Sequence, residues 1–133
     1  MNREELKRHI LEEYGTEPDN PWPESPEYEV YRHSDNKKWF ALIMTIDGKK
    51  LGLCDDSPVD IVNLKCDPLF SGSLKSESGF FPAYHMNKEK WITAALDGSA
   101  DDDLIKLLVG MSYDATAKRY RKRIEGDGQL PSE

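Results

Sequence analysis

The spacing of apolar positions changes along this chain, and each change marks an element. Leu6, Ile10 and Tyr14 recur at helical intervals behind Asn2 and Glu5, which have the spacing of a capping box, and Gly15 supplies a stop. Four prolines between positions 18 and 26 then forbid regular structure. That stretch reads as a fixed crossing loop, pinned to the body by Trp22.

From residue 28 the period falls to two. Residues 28–32 alternate large and polar side chains, a polar turn covers 33–37, and Trp-Phe-Ala-Leu-Ile-Met-Thr-Ile at 39–46 is the most strand-like run in the protein. Asp47-Gly48 favours a two-residue hairpin turn, which predicts that 51–54 pair back onto that strand. Residues 59–66 predict another strand, with Val62, Leu64 and Cys66 on one face and Ile61, Asn63 and Lys65 on the other. Asp67-Pro68 opens a short helix over 67–74, and 91–96 form the last predicted strand. Ser99 is placed to cap a C-terminal helix, with Asp101, Asp102 and Asp103 at its positive end and Leu104, Leu108, Met111 and Ala115 as its buried face. The short connections imply an antiparallel meander. The predicted class is α+β.

Length fits one domain over residues 1–123, and the last ten residues, with two Gly and one Pro, predict a flexible tail over 124–133. The net charge of −7 disfavours a polyanionic partner unless the charges are segregated. They are: Glu4, Glu5, Glu12, Glu13, Glu17 and Asp19 load the N-terminus, whereas Lys118, Arg119, Arg121, Lys122 and Arg123 crowd the end of the last helix. Net charge alone therefore excludes nothing. The two cysteines lack C-x-x-C spacing, no N-terminal segment reads as a signal peptide, and no apolar run is long enough to span a bilayer. A reduced cytoplasmic setting with no membrane role is expected.

The densest group of chemistry-bearing side chains is Pro82-Ala-Tyr-His-Met-Asn-Lys-Glu-Lys-Trp91, which joins a breaker-rich loop to a strand. His85 has no nucleophile at fixed spacing and reads as a loop anchor; Cys66, between Lys65 and Asp67, reads as a small buried hydrophobe. No triad can be assembled, so no catalytic residue is assigned and a non-enzymatic protein is expected. His33, Asp35, Cys66, Asp67 and His85 have no metal-ligand spacing within one element, and no metal or cofactor is expected.

Several blocks occur in one order: Tyr31-Arg-His-Ser-Asp-Asn-Lys-Lys-Trp-Phe-Ala-Leu-Ile-Met44, Leu51-Gly-Leu53, Val62-Asn-Leu-Lys-Cys-Asp-Pro68, Pro82-Ala-Tyr-His-Met-Asn-Lys88 with Trp91-Ile-Thr93, Leu96-Asp-Gly98, and Ser112-Tyr113. Together they resemble the MmcQ/YjbR family of small bacterial proteins. The resemblance implies a CyaY-like, frataxin-type α+β fold, an antiparallel sheet with N- and C-terminal helices packed on one face, and DNA binding, with sheet hairpins acting as paired wings. It supplies no catalytic residue.

For DNA, the candidate contacts are Lys37, Lys38, Lys49, Lys50, Lys88 and Lys90 at turns flanking strands, with Lys118, Arg119, Arg121, Lys122 and Arg123 behind them. No helix carries the Arg, Asn and Gln pattern that reads base edges, so contact is expected with backbone and shape. The alternative is a protein- or small-ligand-binding module. Its pocket would join Arg32, His33, Asp35 and Trp39 to Lys65, Tyr84, His85, Asn87 and Trp91. A third reading is a frataxin-like acidic scaffold for metal, or a thiol- or histidine-dependent enzyme.

Overall fold

The computed structural model describes residues 1–54 and 56–118. Its elements are α1 (Arg3–Tyr14), β1 (Glu29–Arg32), β2 (Trp39–Asp47), a 3₁₀ turn (Gly48–Leu51), β3 (Pro58–Lys65), α2 (Pro68–Leu74), β4 (Phe80–Pro82), β5 (Trp91–Ala95) and α3 (Asp102–Thr116). The strands form one antiparallel sheet in the order β1-β2-β3-β5-β4. Helix α1 begins and ends as its sequence dictates: Asn2 and Glu5 exchange the capping-box hydrogen bonds, and Gly15 takes the left-handed conformation. Arg3 and Lys7 then tie α1 to the sheet through the buried Glu29, at 2.8 and 2.9 Å.

The two faces of the sheet are buried differently. Leu6 and Ile10 of α1, Leu74 of α2 and Ile105, Leu108 and Val109 of α3 pack with Ile43, Val62, Leu64 and Ile92, so all three helices lie on one side. The opposite face, built from Val30, Leu42, Met44, Ile46, Val59 and Ile61, carries no helix among the described residues. Loop side chains cover it, chiefly Trp22, Tyr28, Tyr84 and Met86. The proline-rich loop is held in place for this task. Asp19 bridges the backbone of Val30 and accepts from the Arg32 guanidinium at 2.7 Å, and the Asn20 amide donates to the Pro26 carbonyl at 2.9 Å.

A bulge sits where the two faces are divided. Tyr31 opposes Ala41 but Arg32 opposes Trp39, which leaves Phe40 as the extra residue. Bulges re-aim side chains. Phe40 joins the helix-side core against Tyr113 and His33, with ring centroids 4.9 and 5.2 Å away, while Trp39 stays with the helix-free face. The fully buried Ser112 hydroxyl donates to the Phe40 carbonyl at 2.6 Å and accepts from the Lys65 amide at 2.9 Å, so neither strand end is left unsatisfied.

Four sequence expectations need correction. Asp47-Gly48 does not make a two-residue turn: Gly48–Leu51 coil into a 3₁₀ turn, Gly52 supplies the positive φ, and Pro58, not 51–54, pairs back on Asp47. Asp101 rather than Ser99 caps α3, because its carboxylate accepts from the Leu104 amide at 3.1 Å while Ser99 folds onto Asp97. The buried face of α3 is Ile105, Leu108, Val109, Ser112 and Thr116, which leaves Met111 and Ala115 exposed. That helix stops at Thr116, so its last turn contains no basic residue. Strand β4 is an addition that the breaker-rich sequence around it concealed. Arg119, Arg121, Lys122, Arg123 and the expected tail lie outside the described residues.

Candidate functional site

The segment between β4 and β5 is shaped by two polar residues beneath it. Asn63 on β3 and Thr93 on β5 are cross-strand partners, both fully buried on the helix-free side of the sheet. The Thr93 hydroxyl donates to the Asn63 side-chain oxygen and accepts from the Tyr84 amide at 2.9 Å. The Asn63 amide in turn donates to the Tyr84 carbonyl at 3.1 Å. Both backbone polar groups of Tyr84 are thereby fixed from below. Next to this clamp, His85 takes φ +58°, a left-handed conformation uncommon for a residue with a side chain, and stacks its ring on Tyr84 at 3.9 Å and 16°. The Lys88 ammonium donates to the Ala83 carbonyl at 2.9 Å, and the Asn87 carbonyl accepts from the Lys90 and Trp91 amides. The segment is a built loop, as its residues predict.

Beside it lies a groove of about 340 Å³, floored by Leu42 and Met44 and walled by Trp22, Tyr28, Trp39 and Met86. Trp22 meets Tyr28 and Trp39 edge-on, each with ring centroids 6.0 Å apart. Among the described residues, His85, Glu24 and Ser25 bring side-chain polar groups to it besides those aromatic rings. A concave apolar surface with a few polar groups suits a small planar ligand. Sequence reasoning places Trp39 and His85 in a pocket but misses Tyr28, Leu42 and Met44, because strand periodicity does not reveal which face a helix leaves open.

The other expected pocket residues do not gather here. Arg32, His33 and Asp35 line a polar cleft of about 930 Å³ beside Tyr14 and Tyr113. His33 Nε2 lies 3.0 Å from the Tyr113 carbonyl and Asn36 donates to the Thr116 carbonyl at 2.9 Å, so the β1–β2 turn satisfies the end of α3. Lys65 borders a third cleft of about 400 Å³ with Cys66, Lys90 and Met111. Asn87 is exposed and Trp91 half-buried at the start of β5, while Tyr84 packs against the helix-free core. The nine residues expected to form one pocket are thus distributed, and His33, Lys65 and His85 belong to three different clefts.

Metal and thiol chemistry find little support in the arrangement. Among the described residues no three of His, Cys, Asp and Glu approach as a metal ion would need. Cys66 is buried, and burial followed by the neighbouring Asp67 charge pushes its thiol above the ordinary range, the opposite of an activated nucleophile.

The sheet register sorts the basic residues into two groups. Lys65 pairs with Trp91, and the Cys66 amide donates to the Lys90 carbonyl, which brings the 83–90 loop to the end of the sheet that carries the β1–β2 turn. Lys37, Lys38, Lys88 and Lys90 therefore share one end, and Lys118 follows α3 there, two residues beyond the Thr116 that contacts His33. Lys49 and Lys50 are exposed at the other end of the nine-residue β2, roughly 30 Å away.

Comparison with known proteins gives a consistent result. The YjbR family model matches residues 11–115. The protein YyaQ of Bacillus subtilis is 41% identical over 116 residues, spanning 87% of this chain and 98% of its own length. A crystal structure of a Pseudomonas syringae protein superposes with a TM-score of 0.86 at 44% identity, covering 88% of this chain and all of that one. A Deinococcus radiodurans structure carrying a DUF419 domain, at 22% identity and a TM-score of 0.65 over 98% of this chain and 93% of its own, has the same fold.

Proposed function

The chain belongs to the YjbR family, and we propose that it acts as a non-catalytic binding module whose ligand, a small planar and largely apolar molecule, sits in the groove between Trp22, Tyr28 and Trp39. The observation that carries this reading is the clamped, strained His85 segment at the edge of that groove. A non-glycine residue held in the left-handed region costs about 1–3 kcal/mol, and such strain persists where the surroundings over-determine it, often at ligand sites. The test is thermal stabilisation of the protein by a panel of planar heteroaromatic compounds: some of them stabilise the native chain, and Trp39→Ala abolishes the effect. The arrangement of three helices on one face of an antiparallel sheet also supports a CyaY-like description of the fold.

A second reading, DNA binding, draws support from the lysines that share the β1–β2 end of the sheet. Contacts there would be made to phosphates, and Lys49 and Lys50, at the other end of the nine-residue β2, lie outside that cluster.

A further inference from the structure

We infer that the occupant of the aromatic groove is a cation, a planar N-alkylated heteroaromatic ring whose charged nitrogen bears no hydrogen, held between Trp22, Tyr28, Trp39 and the Glu24 carboxylate. This rests on the groove reading above and adds to it the charge of the ligand. The aromatic walls are not a flat stack. Trp22 stands at 83° to Tyr28 and at 89° to Trp39, with ring centroids 6.0 Å apart in both cases, so the three rings meet as perpendicular walls. All three are half-buried and line the same space of about 340 Å³. Aliphatic walls would suffice for apolar burial, whereas aromatic rings set at right angles present their negative faces from more than one direction, the arrangement that draws an organic cation.

Aromatic side chains over a sheet ordinarily just cover its core, and the independent sign is charge complementarity. Among the described residues, Glu24 is the one carboxylate, ammonium or guanidinium group that lines the groove. It is exposed, and no ion pair among the described residues engages it. Lys38 and Lys88 lie toward one end of the same face but do not line the groove, and the Lys88 ammonium is held by the Ala83 carbonyl at 2.9 Å. The wall itself is therefore negative.

The class of cation follows from the scarcity of acceptors. An ammonium with several N–H groups would leave water for a space floored by Leu42 and Met44, where its donors would lose partners. A quaternary ring nitrogen has no donor to strand. Its charge is spread over an apolar ring that the groove can desolvate, the thioethers of Met44 and Met86 supply polarisable contact, and Glu24 balances the charge while keeping its own water.

The experiment titrates the full chain, at mildly alkaline pH and low salt, with two compounds of nearly equal shape, the cation 1-methylquinolinium and the neutral base 2-methylquinoline, and follows methionine methyl signals by NMR. Both are expected to shift Met44 and Met86, with the cation binding about three- to thirtyfold more tightly. Glu24→Gln, at an exposed position, is expected to narrow that ratio about two- to fivefold. Equal or weaker binding of the cation, or an unchanged ratio in Glu24→Gln, overturns the proposal and leaves the groove reading standing. Silence of both compounds at the two methyl groups overturns the groove reading and the proposal together.

Discussion

Asn63 and Thr93 face each other across β3 and β5, and between them they hold both the amide and the carbonyl of Tyr84. Two polar side chains in an apolar sheet thus determine the course of a loop on its surface. Thr93→Val keeps the volume but leaves the Tyr84 amide and the Asn63 oxygen without partners. The expected loss is about 2–4 kcal/mol by urea denaturation. Adding Asn63→Leu to that variant costs less than the sum of the single changes, because the first substitution has already broken the clamp. Strict additivity would show that the two residues act separately.

His85 tests whether the loop's conformation serves the fold. Glycine takes φ +58° freely, so His85→Gly relieves strain while losing the ring stack on Tyr84, and stability should stay within about 1 kcal/mol of the native chain. A β-branched residue has no such freedom. His85→Val should lose more than about 1 kcal/mol in the same denaturation experiment.

The thiols separate by burial. Iodoacetamide at neutral pH is expected to modify the exposed Cys54 and to spare Cys66 until the chain unfolds. The folded state raises the pKa of Cys66, through burial first and Asp67 second. Its neutral thiol therefore contributes stability in full below the ordinary thiol pKa, and the contribution is lost as pH rises through the raised folded value. Cys66→Ala should accordingly flatten the alkaline decline in stability; an unchanged decline would assign it to other groups.

The sequence disclosed the elements whose signals are local and the site residues whose neighbours are adjacent in the chain. The capping box at Asn2 and Glu5, the helix start at Asp67-Pro68 and the two faces of β3 were all legible. What was hidden depends on three-dimensional neighbours. The Phe40 bulge puts Phe40 on the same face as Ala41 and turns Trp39 to the helix-free face, so Arg32, His33 and Trp39, close in sequence, end in two different clefts. Met111 and Ala115 carry the helical spacing of a core stripe, yet the buried line runs through Ile105, Val109 and Ser112 instead. Asn63 was placed on the right face of β3, but its role needed Thr93 thirty residues away.

For DNA the lysine geometry makes a discriminating prediction. Neutralising Lys38 and Lys90 should weaken binding and lower the salt slope by roughly one for each phosphate left without its lysine. Neutralising Lys49 and Lys50 should leave that slope unchanged, because they occupy the opposite end of β2. The reverse pattern would point to a wing at the β2–β3 connection.

The central claim, a ligand groove on the helix-free face, is tested most directly by titrating the protein with indole, a neutral planar probe, and following methionine methyl and tryptophan indole signals by NMR. Binding should shift the methyl groups of Met44 and Met86 and the Trp22 and Trp39 rings together, and Trp39→Ala should remove the response while the remaining spectrum stays folded. Silence at those methyl groups, or a response that survives Trp39→Ala, would contradict it.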